Sequence, residues 1–177
     1  MLGLVKGELK LVEYNPLWAE LFAKEKQNLL NLVGDFVVDI QHVGSTSIVG
    51  LAAKPVIDIA VGVNNLEDVK HCIRPLENTK LYVYKGINGV PGRELFAKYD
   101  NDRGTHHIHF EKIHEINWQN HIIFRDYLRN NDDIMKEYQD LKYNLFKKGI
   151  SRTEYTESKA EFILQIINRA KKEGYHA

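Results

Sequence analysis

Cysteine is almost missing from this chain. Cys72 is the single example, so no internal disulfide and no cysteine-based metal cluster can form, which fits a reducing compartment. An excess of charge of either sign is missing too. The 24 basic and 24 acidic residues cancel, which gives no support to a nucleic-acid or membrane partner held by bulk charge. No stretch approaches the roughly 20 apolar residues of a membrane span. Lys6, Glu8 and Lys10 fall in the window where a secretory signal needs an apolar segment. Internal repeats, low-complexity tracts and linkers are also absent. At 177 residues the chain can bury one sizeable core and is short for two. The expectation is one soluble, cytoplasmic domain over residues 1–177.

What is present is a clear alternation of strand-like and helix-like segments. Residues 9–14 alternate weakly and suggest a short entry strand. Asn15 and Pro16 then predict a helix start, Leu17, Leu21, Leu29 and Leu32 recur at helical spacing, and Gly34 stands at the C′ position. Strands are predicted over 36–43, with Phe36, Val38, Ile40 and His42 on one face, and over 55–63, with Ile57, Ile59, Val61 and Val63 together. Asp58 and Ala60 share the opposite face. Asn65 and Asp68 resemble a capping pair for a helix that carries Cys72 on its core face and that Pro75 helps to end. A strand at 81–84 leads into a glycine-rich loop at 86–92. Residues 94–99 and 105–111 form the arms of a hairpin, with His107, His109 and Glu111 on one face. The last third is helical: 114–129, then 133–148 with Ile134, Tyr138, Leu141 and Leu145 on one stripe, then a helix ending near Lys172 and opened by a Ser151/Glu154 capping box. This helical tail is expected to pack on the sheet.

The chemistry concentrates between the two β-branched runs. Gly44 permits a sharp turn, after which the NH groups and hydroxyls of Ser45, Thr46 and Ser47 can face an anion. Taken alone, such a turn is more often an ordinary capped strand-to-helix connection. Asp58 changes the balance, because an acid inside an apolar strand needs a partner or a task. Its structural partner would be Lys54, Arg93 or Arg103. Lys54, Arg93, Arg103 and Lys159 are equally candidates for neutralising phosphate charge. His107 and His109, two apart on a strand, can present two imidazoles to one metal ion together with Asp58, or form a solvated histidine face without a ligand. His42 and His106 read as structural histidines.

A Gly-Ser turn ahead of a strand bearing paired acids resembles the polymerase-β-type nucleotidyltransferases. In that pattern the turn holds the terminal phosphates and the carboxylates hold two Mg²⁺ ions. Here the second acid is replaced by Ala60. The run HVGSTSIVGLAAKPVIDI, with YNPLWAELFAKE before it and HIHF, IIFRDYLRNN and YTESKAEFI after it, resembles the GrpB family over nearly the whole chain. The resemblance implies an α+β fold with a mixed sheet flanked by helices. It places the Gly44 and Ser45 turn at the phosphate end and Asp58 at the metal position, and it implies a link to coenzyme A metabolism. The functions it leaves open are metal-dependent nucleotidyl transfer, nucleotide binding without chemistry, and service as an accessory partner. The expected ligand is a nucleotide or another phosphorylated small molecule. The expected cofactor is a divalent ion, Mg²⁺ or Mn²⁺, with Zn²⁺ or Ni²⁺ suiting a mixed nitrogen and oxygen site. On this reading Ala60→Asp should increase Mg²⁺-supported binding.

Overall fold

The computed structural model describes residues 2–177. Its centre is a five-stranded mixed sheet, flanked by helices, in the order β1-β2-β5-β4-β3, made of Asp39–Val43, Ile57–Val63, Tyr82–Gly86, Arg93–Asp100 and Arg103–Lys112. β2 and β5 pair in parallel and the other neighbours are antiparallel. The strict alternation in β2 dictates its two environments. Ile57, Ile59, Val61 and Val63 join Leu29, Val33 and Cys72 in one core, beneath α1 (Leu17–Val33) and α2 (Val69–Glu77). Ala60 joins Val43, Trp118 and Ile122 on the other face, under α3 (Ile116–Asn130).

The helical tail forms a further core of its own. Ile123, Tyr127 and Leu128 of α3 pack with Ile134 and Tyr138 of α4 (Asp132–Lys147) and with Ile166 and Ile167 of α6 (Ala160–Lys172). Ile48 and Leu51, which follow the Gly44 turn, are buried in the same cluster, so the turn is clamped between sheet and tail. Among the described residues no helix is long and apolar enough to cross a membrane.

Several boundaries differ from the sequence-based expectation, each for a local reason. Residues 9–14 form only an isolated bridge, Val12 to Ala53. Gly34 has φ −54° and continues α1 into a 3-10 turn over Gly34–Phe36, so Phe36 stays out of β1 and stacks on His71 at 5.4 Å. A 3-10 turn over Leu66–Asp68 precedes α2, without the expected side-chain cap, and α2 runs past Pro75 to Glu77. The last helix is two: α5 (Arg152–Glu157) breaks at Ser158 before α6 begins.

The capping box at the start of α5 is present in both halves, with Ser151 accepting from the Glu154 amide and Glu154 accepting from the Ser151 amide. Ser151→Ala should lower stability by about 1 kcal/mol, because it leaves a helix-start amide without its side-chain acceptor. Urea unfolding reads this as a lower midpoint at constant slope. An unchanged midpoint would show that α5 does not depend on the cap.

Candidate functional site

The site lies where β1 ends and β2 begins. After Val43 the chain turns at Gly44, whose φ of 66° and ψ of −174° are accessible to glycine almost alone, and enters a 3-10 turn over Ser45–Ser47. A Cβ at Gly44 would lie 2.7 Å from Asp58 Oδ2, so the glycine lets the turn rest directly on the carboxylate. Ser45 and Thr46 border a cavity of about 610 Å³. Ser47 does not. Its hydroxyl donates to the Gly44 carbonyl at 2.7 Å, and Arg129 donates to its carbonyl, so it braces the turn instead of meeting a ligand.

Asp58, on β2, is paired in register with His107 of β5, and Ala60 with His109. Asp58 Oδ1 accepts from His107 Nδ1 at 3.1 Å and faces His109 Nε2 at 3.5 Å. Burial acts to raise the Asp58 pKa, but the bonds from the two histidines prevail and hold the carboxyl well below its usual range. The group is therefore an anion at neutral pH. Burial pushes the His109 imidazole down to about 4, so at neutral pH it is an uncharged donor through Nε2. Its Nδ1 is buried without a hydrogen-bond partner, as are Glu111 Oε2 and Nε of Arg93 nearby. His121 Nε2 lies 3.2 Å from Glu111 Oε1, and its ring is 5.2 Å from that of His109.

Two of the expected arrangements need correction. The partner of Asp58 is the histidine pair and none of Lys54, Arg93 or Arg103; Arg103 lies against Glu8 and the Gly3 carbonyl, away from the cavity. The three-donor metal shell of Asp58, His107 and His109 is not preformed. Among the described residues no group of three or more His, Cys, Asp or Glu side chains is placed to hold a metal ion, and both imidazoles face the carboxylate itself. Ala60 is fully buried against Trp118 and Ile122 and does not border the cavity. An aspartate there would put a charge into apolar packing, so the gain expected from Ala60→Asp is replaced by a loss of stability. His42 and His106 each have a side-chain partner, although His106 Nε2 is buried without one. His42 meets Thr46 Oγ1 at 3.0 Å and His106 meets Thr105 Oγ1 at 2.9 Å.

The other charged residues of the lining are basic. Lys54, Arg93 and Lys159, singled out from the sequence, border the cavity, and Lys142 and Arg152 join them. Among the described residues none of these five lies within 4.0 Å of a carboxylate, although nine other basic side chains, such as Lys26, Lys98 and Arg125, do. Lys142 is almost fully buried, donates to the Ala52 carbonyl and sits 3.4 Å from Ser45 Oγ. Lys159 lies over the Tyr155 ring at 4.2 Å. Burial pushes Lys142 down to about 6, with Lys159 adding to the shift, and pushes Lys159 down to about 7, with Lys54 adding.

Lys142 is not among the residues that the sequence analysis singles out. A signal was available: it stands four residues after Tyr138 and three before Leu145, within the apolar stripe of α4. His121 likewise lies on the α3 stripe with Trp118, Ile122 and Arg125, three of them buried.

The family model described as GrpB protein matches residues 8–169. The chain is 41% identical over 172 residues to the glutamate-rich protein GrpB of Alkalihalophilus pseudofirmus, covering 95% of this chain and 99% of that one. It is 38% identical to the UPF0157 protein YqkA of Bacillus subtilis, covering 94% of this chain and 48% of that longer protein. Among solved structures, the crystal structure of conserved protein GrpB from Enterococcus faecalis superposes with a TM-score of 0.81 at 34% identity, covering 93% of this chain and 98% of that one.

Proposed function

Since the chain belongs to the GrpB family, we propose that its cavity binds a nucleotide or another phosphorylated small molecule, with the phosphates on the Gly44–Thr46 turn. The observation that carries this reading is the charge of the cavity wall. Lys54, Arg93, Lys142, Arg152 and Lys159 face it, and Asp58 is the one carboxylate among its lining residues. Holding an ammonium without a carboxylate partner costs free energy where the amine is buried, as at Lys142 and Lys159, and an anionic ligand offsets that cost. A volume of about 610 Å³ suits a nucleotide-sized ligand.

Metal-dependent nucleotidyl transfer is the chemistry that Asp58 supports best. Mg²⁺ is commonly held by one or two carboxylates together with substrate phosphates and not by an all-protein cage, so a single aspartate beside a phosphate site fits its needs. Mn²⁺, Zn²⁺ or Ni²⁺ would gain further from His107 or His109. Held there, the ion would polarise the phosphoryl oxygens. The chain's own contribution is to keep Asp58 ionised through His107 and His109 and to hold the phosphates on cationic side chains. The burial of Ala60 favours a second reading, nucleotide binding without transfer, because a second carboxylate has no place there.

A thermal-shift screen separates these readings. Nucleoside di- and triphosphates, coenzyme A and dephospho-coenzyme A are each tested alone and with Mg²⁺, Mn²⁺, Zn²⁺ or Ni²⁺. A ligand at 100 times its dissociation constant should add about 2.7 kcal/mol of apparent stability. Asp58→Asn should abolish the metal-dependent part of the shift. Failure of every phosphorylated compound to shift the transition would reject the proposal, and a metal-supported shift without turnover would select binding alone.

A further inference from the structure

We infer that Lys54, Lys142 and Lys159 form a polyphosphate subsite that supplies the charge neutralisation a second metal ion would otherwise provide, so that a phosphate chain binds without any divalent cation. The inference rests on the proposed phosphate site and deepens it. The three amines come from three different elements: the segment before β2, the middle of α4, and the junction of α5 and α6. They are gathered around two buried aromatic rings. Lys142 lies 4.8 Å from the Tyr138 ring centroid, and Lys54 and Lys159 lie 5.7 and 4.2 Å from that of Tyr155. Lys142 also reaches Ser45 at the turn where the phosphates are placed. Meanwhile position 60, where paired-carboxylate chemistry would need its second acid, is closed into the core by Trp118 and Ile122. No second carboxylate can hold a cation there, and the positive charge at the cavity comes from side chains of the protein.

The charged and titratable groups around these amines point the same way. Lys142 is faced by Tyr138 on its own helix, by the Ala52 carbonyl and Ser45 from the turn side, and by Lys159. Lys159 is faced by Tyr155 of α5, by Lys54, and at longer range by Asp58 of β2. Arg152 adds a further positive charge beside Lys54. Burial and mutual repulsion leave Lys142 and Lys159 largely uncharged just above neutral pH in the ligand-free protein. A phosphate chain would reverse this by favouring the ammonium forms, so binding takes up protons.

The test is isothermal titration of the full chain at pH 8 with inorganic tripolyphosphate and with a nucleoside triphosphate, in EDTA and in Mg²⁺. The expected result is binding in EDTA within about threefold of the affinity in Mg²⁺. Lys142→Met and Lys159→Met should each weaken the EDTA binding by about tenfold or more. Lys26→Met, which removes an amine beside Asp39 outside the cavity, should leave it unchanged. Should the lysine variants fail to fold, wild type alone decides. Titration in buffers of different ionisation enthalpy should show uptake of about one proton or more per phosphate chain bound. Binding that requires Mg²⁺, or that occurs in EDTA with no proton uptake, would overturn the lysine subsite and leave the phosphate site standing. Absence of binding in both conditions would overturn both.

Discussion

Gly44→Val should destabilise the protein by roughly 3 kcal/mol or more and abolish ligand binding, because two penalties fall on one residue. The first is conformational. At φ 66° and ψ −174° the backbone is in a region that a β-branched side chain adopts only under strain. The second is contact. An added Cβ would meet Asp58 Oδ2 at 2.7 Å, Asp58 Cβ at 3.0 Å and Asp58 Cγ at 3.1 Å, so either the turn or the strand must move. Movement of either separates Ser45 from Asp58. Gly50→Ala separates the two penalties, since Gly50 has φ 81° but nothing within 4 Å of an added Cβ. That variant should cost about 1 to 2 kcal/mol and keep binding intact. Urea unfolding of both variants checks the pair, and a Gly44→Val protein as stable as Gly50→Ala would mean that the turn is not wedged against Asp58.

The second large effect is a rise in stability as pH increases from about 6 to about 9. Lys142 titrates near 6 in the folded chain against an ordinary 10.5, and Lys159 near 7. Between the folded and ordinary values the unfolded chain binds a proton that the folded chain does not, so raising the pH favours the folded form. The penalty is fully present below the folded pKa and fades as the pH approaches 10.5. Each lysine contributes roughly 1 kcal/mol per pH unit across its window. His42, His106 and His109, all pushed down to about 4 by burial, extend the same trend below their ordinary value of 6.5. Lys142→Met should remove its share of the slope above pH 6. It should also cost a pH-independent 1 kcal/mol or so, because the Ala52 carbonyl loses its donor. Parallel stability curves for wild type and Lys142→Met between about pH 6 and 9 would contradict the burial of an uncharged amine at that position.

Much of the scaffold is legible from local pattern. The period-two alternation of β2 assigns Ile57, Ile59, Val61 and Val63 to one core and Asp58 to the other face, and the isolation of that acid marks the site. Ser151 and Glu154 name their helix start because a capping box is a contact across three residues. Local pattern fails where distant contacts decide. The length of β1 is set by Phe36 stacking on His71, thirty-five positions away. The parallel register that puts His107 beside Asp58 depends on packing across forty-nine residues, and their shared face alone does not reveal that the imidazoles bond the carboxylate. Lys142 and His121 were hidden because charged or polar residues on an apolar stripe are usually solvated at its edge. Here the stripe faces a cavity, and only the assembled helices show it.

The most direct measurement is residue-resolved NMR of the protein titrated with a nucleoside triphosphate, followed at the backbone amides and the lysine side chains. The expected result is a set of shifts confined to the amides of Gly44 to Thr46 and to the side chains of Lys54, Lys142 and Lys159, saturating together with one dissociation constant. Shifts centred instead on the shallow groove of Lys10, Tyr14 and Pro55, or scattered over exposed lysines such as Lys70 and Lys136 without saturation, would contradict a phosphate site at the Gly44 turn.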